Sequence, residues 1–388
     1  MQAVILAGGL GTRLKPYTND NPKPMIPING KPFLQYLIEQ IASWGITDVV
    51  LLLGYKADKI IDYFGDGDSL SVNIQYCVTP VEYDTGKRLM SAFELLQNEF
   101  ILLYCDNYCP IDYKVAEKQF RDSDNTIQIT AYTNRDVYTK NNIKASDNKV
   151  EKYDKKRNEE GLNAVDIGYA FIKKEAVKLL SEENVNFEAE VYPMLVADNK
   201  MGVFLTEHRY YSIGSWERID LTKEFFRTKK VVFLDRDGTI NERPPRACYI
   251  EKPEDFRWLP NAKEALKQLK EKGYTIYLIT NQPGIARGNL TEDMLEKIHA
   301  KMESDLLEIG VTLDDIYFCP HNWDEGCDCR KPKPGMLFQA QKDHSLNLSQ
   351  CYLIGDDERD IEAGISAGVK KTFLISENRS LFDIVGDL

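Results

Sequence analysis

Short apolar runs alternate with longer amphipathic stretches along the whole chain. Val4–Leu6, Val49–Leu53, Ile74–Val78, Ile101–Tyr104 and Ile127–Tyr132 are continuous enough to read as strands buried on both faces. Phe33–Trp44 and Lys87–Leu96 lie between them with helical spacing. Residues 134–160 are polar and read as loop. A strand follows at Asp166–Ile172, a helix near Glu188–Ala197, and strands near Val203–Leu205 and Tyr210–Ile213. Leu221–Lys230 is amphipathic and then basic, which places a domain boundary near residue 228. The alternation then restarts. Strands are predicted at Val231–Leu234, Thr275–Ile279, Ile316–Cys319, Tyr352–Ile354 and Thr372–Ile375. Helices are predicted at Ala262–Lys272, Glu292–Leu307, Met336–Asp343 and Arg359–Ala367.

Such alternation predicts an α/β protein with two Rossmann-like three-layer domains, 1–228 and 229–388, each with a mostly parallel sheet between helices. A length of 388 residues suits two cores. The net charge of −12 argues against a nucleic-acid or anionic-membrane surface. It leaves room for anionic small molecules held by local amides and lysines. No apolar run is long enough to span a membrane, and the first residues read as a strand rather than a signal peptide. Five of the eight cysteines are scattered. Together these features predict a cytoplasmic enzyme. Homo-oligomerisation stays open.

Two places carry chemistry. Leu6-Ala7-Gly8-Gly9-Leu10-Gly11-Thr12-Arg13 follows the first strand, with Pro22-Lys23-Pro24 behind it. Glycines let backbone amides close around phosphate oxygens, and Arg13 and Lys23 add charge there. In the second half, Asp235 and Asp237 end a buried strand. Thr280-Asn281, Lys331 and Asp356 follow in order. Two carboxylates at a strand end can serve as nucleophile and acid/base. Cys319, His321, Cys327 and Cys329 offer three thiols and one imidazole within eleven positions, a set that suits a closed tetrahedral Zn²⁺ site.

The run from Gly8 to Leu14, with Pro22-Lys23-Pro24-Met25 and Lys31-Pro32, resembles the sugar-phosphate nucleotidyltransferase family. The resemblance covers residues 1 to about 225. It implies a nucleoside triphosphate on Leu6–Arg13 and Lys23, with Arg13 steadying the pyrophosphate. It implies Mg²⁺ on Asp106 and a phosphorylated sugar on Lys152 and Asp166. Ser212 stands where the family usually has a second metal-binding aspartate, and Asp84-Thr85-Gly86-Lys87 replaces a Leu-Gly-Thr motif.

The second set resembles the haloacid dehalogenase phosphatases. That likeness implies Asp235 as nucleophile, Asp237 as acid/base, Thr280 and Lys331 on the phosphoryl group, and Mg²⁺ on Asp235, Asp237 (through its carbonyl) and Asp356. Within that superfamily, residues 231–375 are most similar to the heptose 1,7-bisphosphate 7-phosphatases, which implies sugar contacts from Asn281, Arg287 and Arg330. The histidinol-phosphate phosphatases are a similar group. The two halves then form a sequence: the phosphatase frees a heptose 1-phosphate, and the transferase activates it. Relatives on the GDP-heptose route imply GTP, with CTP or UTP and another sugar or polyol as alternatives. A nucleotide-sensing first domain on a phosphatase is a further alternative.

Overall fold

The computed structural model describes residues 1–245 and 248–388, and element counts refer to these. The chain divides into two compact units, Met1–Phe226 and Arg227–Leu388.

The first unit is built on a nine-stranded sheet. Its strands are β1 (Gln2–Ala7), β2 (Asp48–Leu53), β3 (Asn73–Val78), β4 (Glu99–Tyr104), β5 (Ile127–Tyr132), β6 (Ile143–Ser146), β7 (Lys149–Tyr153), β8 (Val165–Lys173) and β9 (Met201–Thr206). Their spatial order is β3-β2-β1-β4-β8-β5-β9-β7-β6. Side chains alternate across a strand, so each apolar run feeds two cores. Ala3, Ile5 and Ala7 enter one with Leu51 and Leu103. Val4 and Leu6 enter the other with Leu52 and Leu102.

The sheet is mixed, not mostly parallel. β1 to β4 pair in parallel and so do β5 and β9. β8 runs antiparallel to both β4 and β5, and β6 and β7 close the edge as an antiparallel hairpin. That hairpin falls within the stretch expected to be loop. Its turn residues Asp147 and Asn148 both have positive φ, as a tight hairpin requires. β6 alternates buried and exposed, so it lacks the continuous apolar run of a central strand.

The second unit has an all-parallel five-stranded sheet: β10 (Val231–Leu234), β11 (Thr275–Asn281), β12 (Asp315–Cys319), β13 (Tyr352–Gly355) and β14 (Lys371–Leu374), in the order β12-β11-β10-β13-β14. Val232 and Leu234 face one core, Val231 and Phe233 the other. The helices Glu292–Leu307 and Gly335–His344 lie where the pattern predicts them. Five helices were not predicted: Tyr17–Asp20, Ala57–Phe64, Tyr113–Arg121, Trp216–Phe225 and Leu381–Asp387. No helix among the described residues is long and apolar enough to cross a membrane.

Both sheets reverse their strand order beside the first strand. In the first unit the reversal lies between β1 and β4, in the second between β10 and β13. Chains leave such a pair in opposite directions and open a crevice at the carboxyl ends. Gly8 and Asp106 follow β1 and β4. Asp235 and Asp356 follow β10 and β13.

Candidate active sites

The first crevice is a cavity of about 350 Å³. Leu6, Gly8, Gly9, Gly11, Thr12, Arg13, Lys23 and Asp106 line it together. Ala7 does not: it is buried in the sheet. Gly11 has φ +63°, and an added Cβ would stand 2.8 Å from the Lys23 Cβ, so this position needs glycine twice over. Lys23 Nζ donates to Asp106 Oδ2 at 2.6 Å. Asp106 belongs to no group of three metal-ligating side chains among the described residues. Ser212 pairs with Asn107 in a short ribbon beside it. One carboxylate fits a cation that draws its remaining ligands from phosphates and water, as Mg²⁺ commonly does.

The two sugar-side residues are not brought together. Lys152 is exposed on β7 and pairs with Glu159. Asp166 is close to Glu188, and Lys155 reaches Glu188 at 2.9 Å. Burial, with Glu188 adding repulsion, pushes the Asp166 carboxyl up to about 7. Neither Lys152 nor Asp166 lines the cavity. A bulge between Val150 and Lys152 shifts the register of this edge hairpin, a feature that residue spacing does not reveal. Arg88, Tyr83 and Tyr104 line the cavity and were missed, and Asp84 and Thr85 of the stretch that replaces the Leu-Gly-Thr motif line it too.

The second crevice is larger, about 590 Å³, and gathers Asp235, Asp237, Thr280, Asn281, Arg287, Arg330 and Lys331. Lys331 is 3% exposed and sits between Asp235 and Asp360, 2.6 Å from each. Burial pushes the Asp235 carboxyl up to about 7, against the pull of Lys331. Asp237 turns the other way. Arg236 grips both its oxygens, and Asn241 and Gln282 each donate to one. Burial would raise the Asp237 carboxyl, but these donors outweigh it and hold it below the usual range. Arg236 is wholly buried and backed by His299, whose imidazole is held down to about 3 by burial and by that guanidinium.

The carboxylate cluster adds Asp360 to the expected Asp235 and Asp356, Asp237 having been expected to contribute only its carbonyl oxygen. Asp235, Asp356 and Asp360 lie within 4.8 Å of one another, while the Asp237 carboxylate is outside the group. Asp360, four residues after Asp356 and one helical turn away, was missed. Its signal was the Gly355-Asp356-Asp357-Glu358-Arg359-Asp360 run, in which Asp357 caps the helix and Asp360 completes the capping box. Asp356 Oδ1 is buried with no protein partner. An unused hard oxygen beside two more carboxylates fits Mg²⁺.

Cys319, His321, Cys327 and Cys329 converge. Sγ of Cys319 is 3.7 Å from Cys327 and 3.2 Å from Cys329, and His321 Nδ1 is 3.2 Å from Cys329. A tetrahedron with Zn–S of about 2.3 Å has edges of about 3.7 Å, so the donor set fits zinc. Lys333 ties the carbonyls of Gly326 and Cys327, and Arg330 donates to the His321 carbonyl at 3.2 Å. The loop thus sets where Arg330 and Lys331 stand.

Comparison with known proteins follows the same division. Residues 2–225 match the family model "Nucleotidyl transferase", and residues 230–376 match "Polynucleotide kinase 3 phosphatase". The D-glycero-beta-D-manno-heptose-1,7-bisphosphate 7-phosphatase of Helicobacter pylori strain J99 is 44% identical over 153 residues, spanning 39% of this chain and 86% of that protein. The alpha-anomer enzyme of Photorhabdus laumondii is 42% identical over 153 residues, 38% of this chain and 82% of its own. The crystal structure of HddC from Yersinia pseudotuberculosis complexed with GMP-PN is similar over 58% of this chain and 99% of that one, at 30% identity and a TM-score of 0.50. The chain therefore belongs to the nucleotidyl transferase family through its first unit and to the heptose-1,7-bisphosphate 7-phosphatase family through its second, and is a bifunctional nucleotidyltransferase and phosphatase.

Proposed function

We propose that this enzyme removes the 7-phosphate from D-glycero-D-manno-heptose 1,7-bisphosphate and then transfers GMP from GTP to the heptose 1-phosphate. The observation that carries this reading is the pairing of likenesses. Each unit matches nearly the full length of a protein, one named for heptose bisphosphate hydrolysis and one solved with a guanine nucleotide analogue. The product of the first reaction is the acceptor of the second. The heptose relatives favour this sugar over histidinol phosphate.

In the phosphatase site, Asp235 attacks phosphorus and forms an aspartyl-phosphate as the bond to the sugar oxygen breaks. Asp237, held ionised by its donors, relays a proton from the phosphate monoanion to that oxygen and later takes one from the attacking water. Thr280 and Lys331 hold the phosphoryl oxygens. Asn281, Arg287 and Arg330 line the cavity where the sugar and its second phosphate would sit. Asp235, Asp356 and the Asp237 carbonyl would hold Mg²⁺, which supplies charge neutralisation when bound, and Lys331 balances Asp360. The four-residue Cys/His set would hold a structural Zn²⁺. In the transferase site, an oxygen of the sugar phosphate attacks the α-phosphorus and pyrophosphate leaves. That oxygen is already anionic, so no general base is needed. Leu6 to Arg13 and Lys23 position the triphosphate, and Asp106 would hold its Mg²⁺.

The test is ³¹P NMR of the protein with either anomer of the bisphosphate, Mg²⁺ and each triphosphate in turn. Loss of the 7-phosphate signal followed by a sugar diphosphate signal with GTP alone is the expected result. An untouched bisphosphate sinks the heptose assignment. Product with CTP or UTP instead of GTP overturns the base. Hydrolysis with no diphosphate product from any triphosphate favours a nucleotide-sensing first unit.

A further inference from the structure

Arg88 sits in the wall of the nucleotide cavity yet is only 4% exposed. A buried guanidinium must place its N–H groups on acceptors. Nη1 donates to the Leu53 carbonyl at 2.8 Å and to Thr79 Oγ1. Nη2 meets the carbonyls of Val81 at 3.0 Å, Pro80 at 3.1 Å and Gly8 at 3.3 Å. Two terminal nitrogens carry four N–H groups, and five protein acceptors surround them. No terminal N–H remains for a ligand phosphate. Arg88 therefore differs from Arg13 and Lys23, although all three line the same cavity.

Its acceptors come from three separate segments: the loop after β1, the end of β2, and the turn after β3. Two glycines make room for it. An added Cβ on Gly8 would lie 2.4 Å from the Arg88 Cζ, and one on Gly54 would lie 2.6 Å from Nη1. Gly54 does not have a left-handed backbone, so its lack of a side chain answers to close approach rather than to a turn: an added Cβ would crowd Arg88 and would also stand 2.7 Å from the Gly8 carbonyl oxygen. Beyond the clamp, the wall continues through Val81, Tyr83 and Asp84. These residues face a cavity whose cationic groups, Arg13 and Lys23, stand on the glycine loop and behind it.

We infer that Arg88 is a positioning residue that locks the 79–84 wall to the glycine loop and thereby sets which nucleoside triphosphate base the cavity accepts. The inference rests on the nucleotidyltransferase reading, and concerns how that site selects its base. A misplaced wall weakens base contacts more than it weakens the hold on the reacting phosphates, which keep the charges of Arg13 and Lys23.

The test compares full-length wild type, Arg88→Lys and Gly54→Ala. Lysine keeps the charge but concentrates three N–H groups on one nitrogen, which cannot span three segments. Gly54→Ala keeps the arginine but crowds both its guanidinium and the Gly8 carbonyl it binds, so Arg88→Lys, which leaves Gly54 and Gly8 untouched, is the cleaner of the two variants. Hydrogen exchange is followed over 8–14, 51–55 and 79–84, and kcat and KM are measured with GTP, CTP, UTP and ATP. Both variants should lose protection in all three segments together. KM for the preferred triphosphate should rise about tenfold, with kcat within about threefold, because uniform binding is what is lost. Discrimination between bases should fall by about tenfold or more. Unchanged exchange in either variant overturns the clamp. A fall in kcat at constant KM overturns it too, since that marks a group bound to the transition state. A wild type that consumes no triphosphate overturns the transferase reading and with it the base selection, while exchange still decides whether Arg88 ties the segments.

Discussion

Lys331→Met is the most discriminating change in the second unit. The lysine ammonium is almost fully buried and lies 2.6 Å from both Asp235 and Asp360. Methionine fills similar volume, so the variant removes charge more than packing. Breaking a buried pair by deleting one partner costs about 3–5 kcal/mol, because the other charge stays buried and uncompensated. Here two carboxylates are left. The pH dependence has a definite sign. Asp235 already titrates near 7 in the folded protein, above the unfolded carboxyl value of about 3.9. A raised carboxyl favours the folded state when protonated, so its contribution falls as pH rises from about 4 to about 7. Removing Lys331 deletes the group that pulls Asp235 down and extends this loss to higher pH. In Mg²⁺-free buffer the destabilisation should therefore be about 1–3 kcal/mol larger at pH 8.5 than at pH 6, given about 1.4 kcal/mol per pH unit per proton. Urea titrations read by hydrogen exchange in peptides covering 231–234 and 275–281 would measure it. Added Mg²⁺ should offset part of the loss at pH 8.5. Phosphatase kcat/KM should also fall by about 10²–10³, the scale of one lost electrostatic contact to the phosphoryl group. Equal destabilisation at both pH values, or a larger loss at pH 6, would refute the reasoning.

Three further outcomes are expected. Asp235→Asn should abolish phosphate release and leave sugar-nucleotide formation from added heptose 1-phosphate unchanged; loss of both, measured by ³¹P NMR, would mean that the units are coupled. Elemental analysis should find one zinc per chain, and Cys329→Ser should lower zinc content together with phosphatase activity, since the same loop carries Arg330 and Lys331; full activity without zinc removes the clamp. Gly11→Ala should cost about 1–3 kcal/mol of local strain from its left-handed φ, beyond the collision with Lys23. It should cut pyrophosphate release at least tenfold while phosphatase activity stays at the wild-type level.

Most of the fold was legible because the central strands are buried on both faces and so read as unbroken apolar runs. Val231–Leu234 and Ile127–Tyr132 coincide with the predicted bounds. The edge hairpin Ile143–Tyr153 escaped because one of its faces is wet and its apolar positions alternate. The short helices Ala57–Phe64 and Leu381–Asp387 escaped because two turns hold too few apolar positions to establish a period.

The sites divide along the same line. Residues contiguous with a strand end were readable in the sequence, since a strand carries its last residues to a known place: Gly8 to Arg13, Asp235 and Asp237, Thr280 and Asn281. The cysteine and histidine spacing was readable because four ligands within eleven positions can close on one ion without help from distant chain. What depended on distant segments was not readable. The helix start places Asp360 near Asp356, but that it shares a lysine with Asp235 was not readable, because Lys331 lies 96 residues after Asp235. Lys152 follows a register shift in the edge hairpin and pairs with Glu159, while Lys155 reaches Glu188 across 33 positions. Arg88 is an ordinary helix residue in the sequence and becomes a clamp only when three segments up to 80 positions away present their carbonyls to it. Local order along the chain determined the type of chemistry in each half. The tertiary fold decided which charges meet, because hydrogen bonds and burial act through space and not along the sequence.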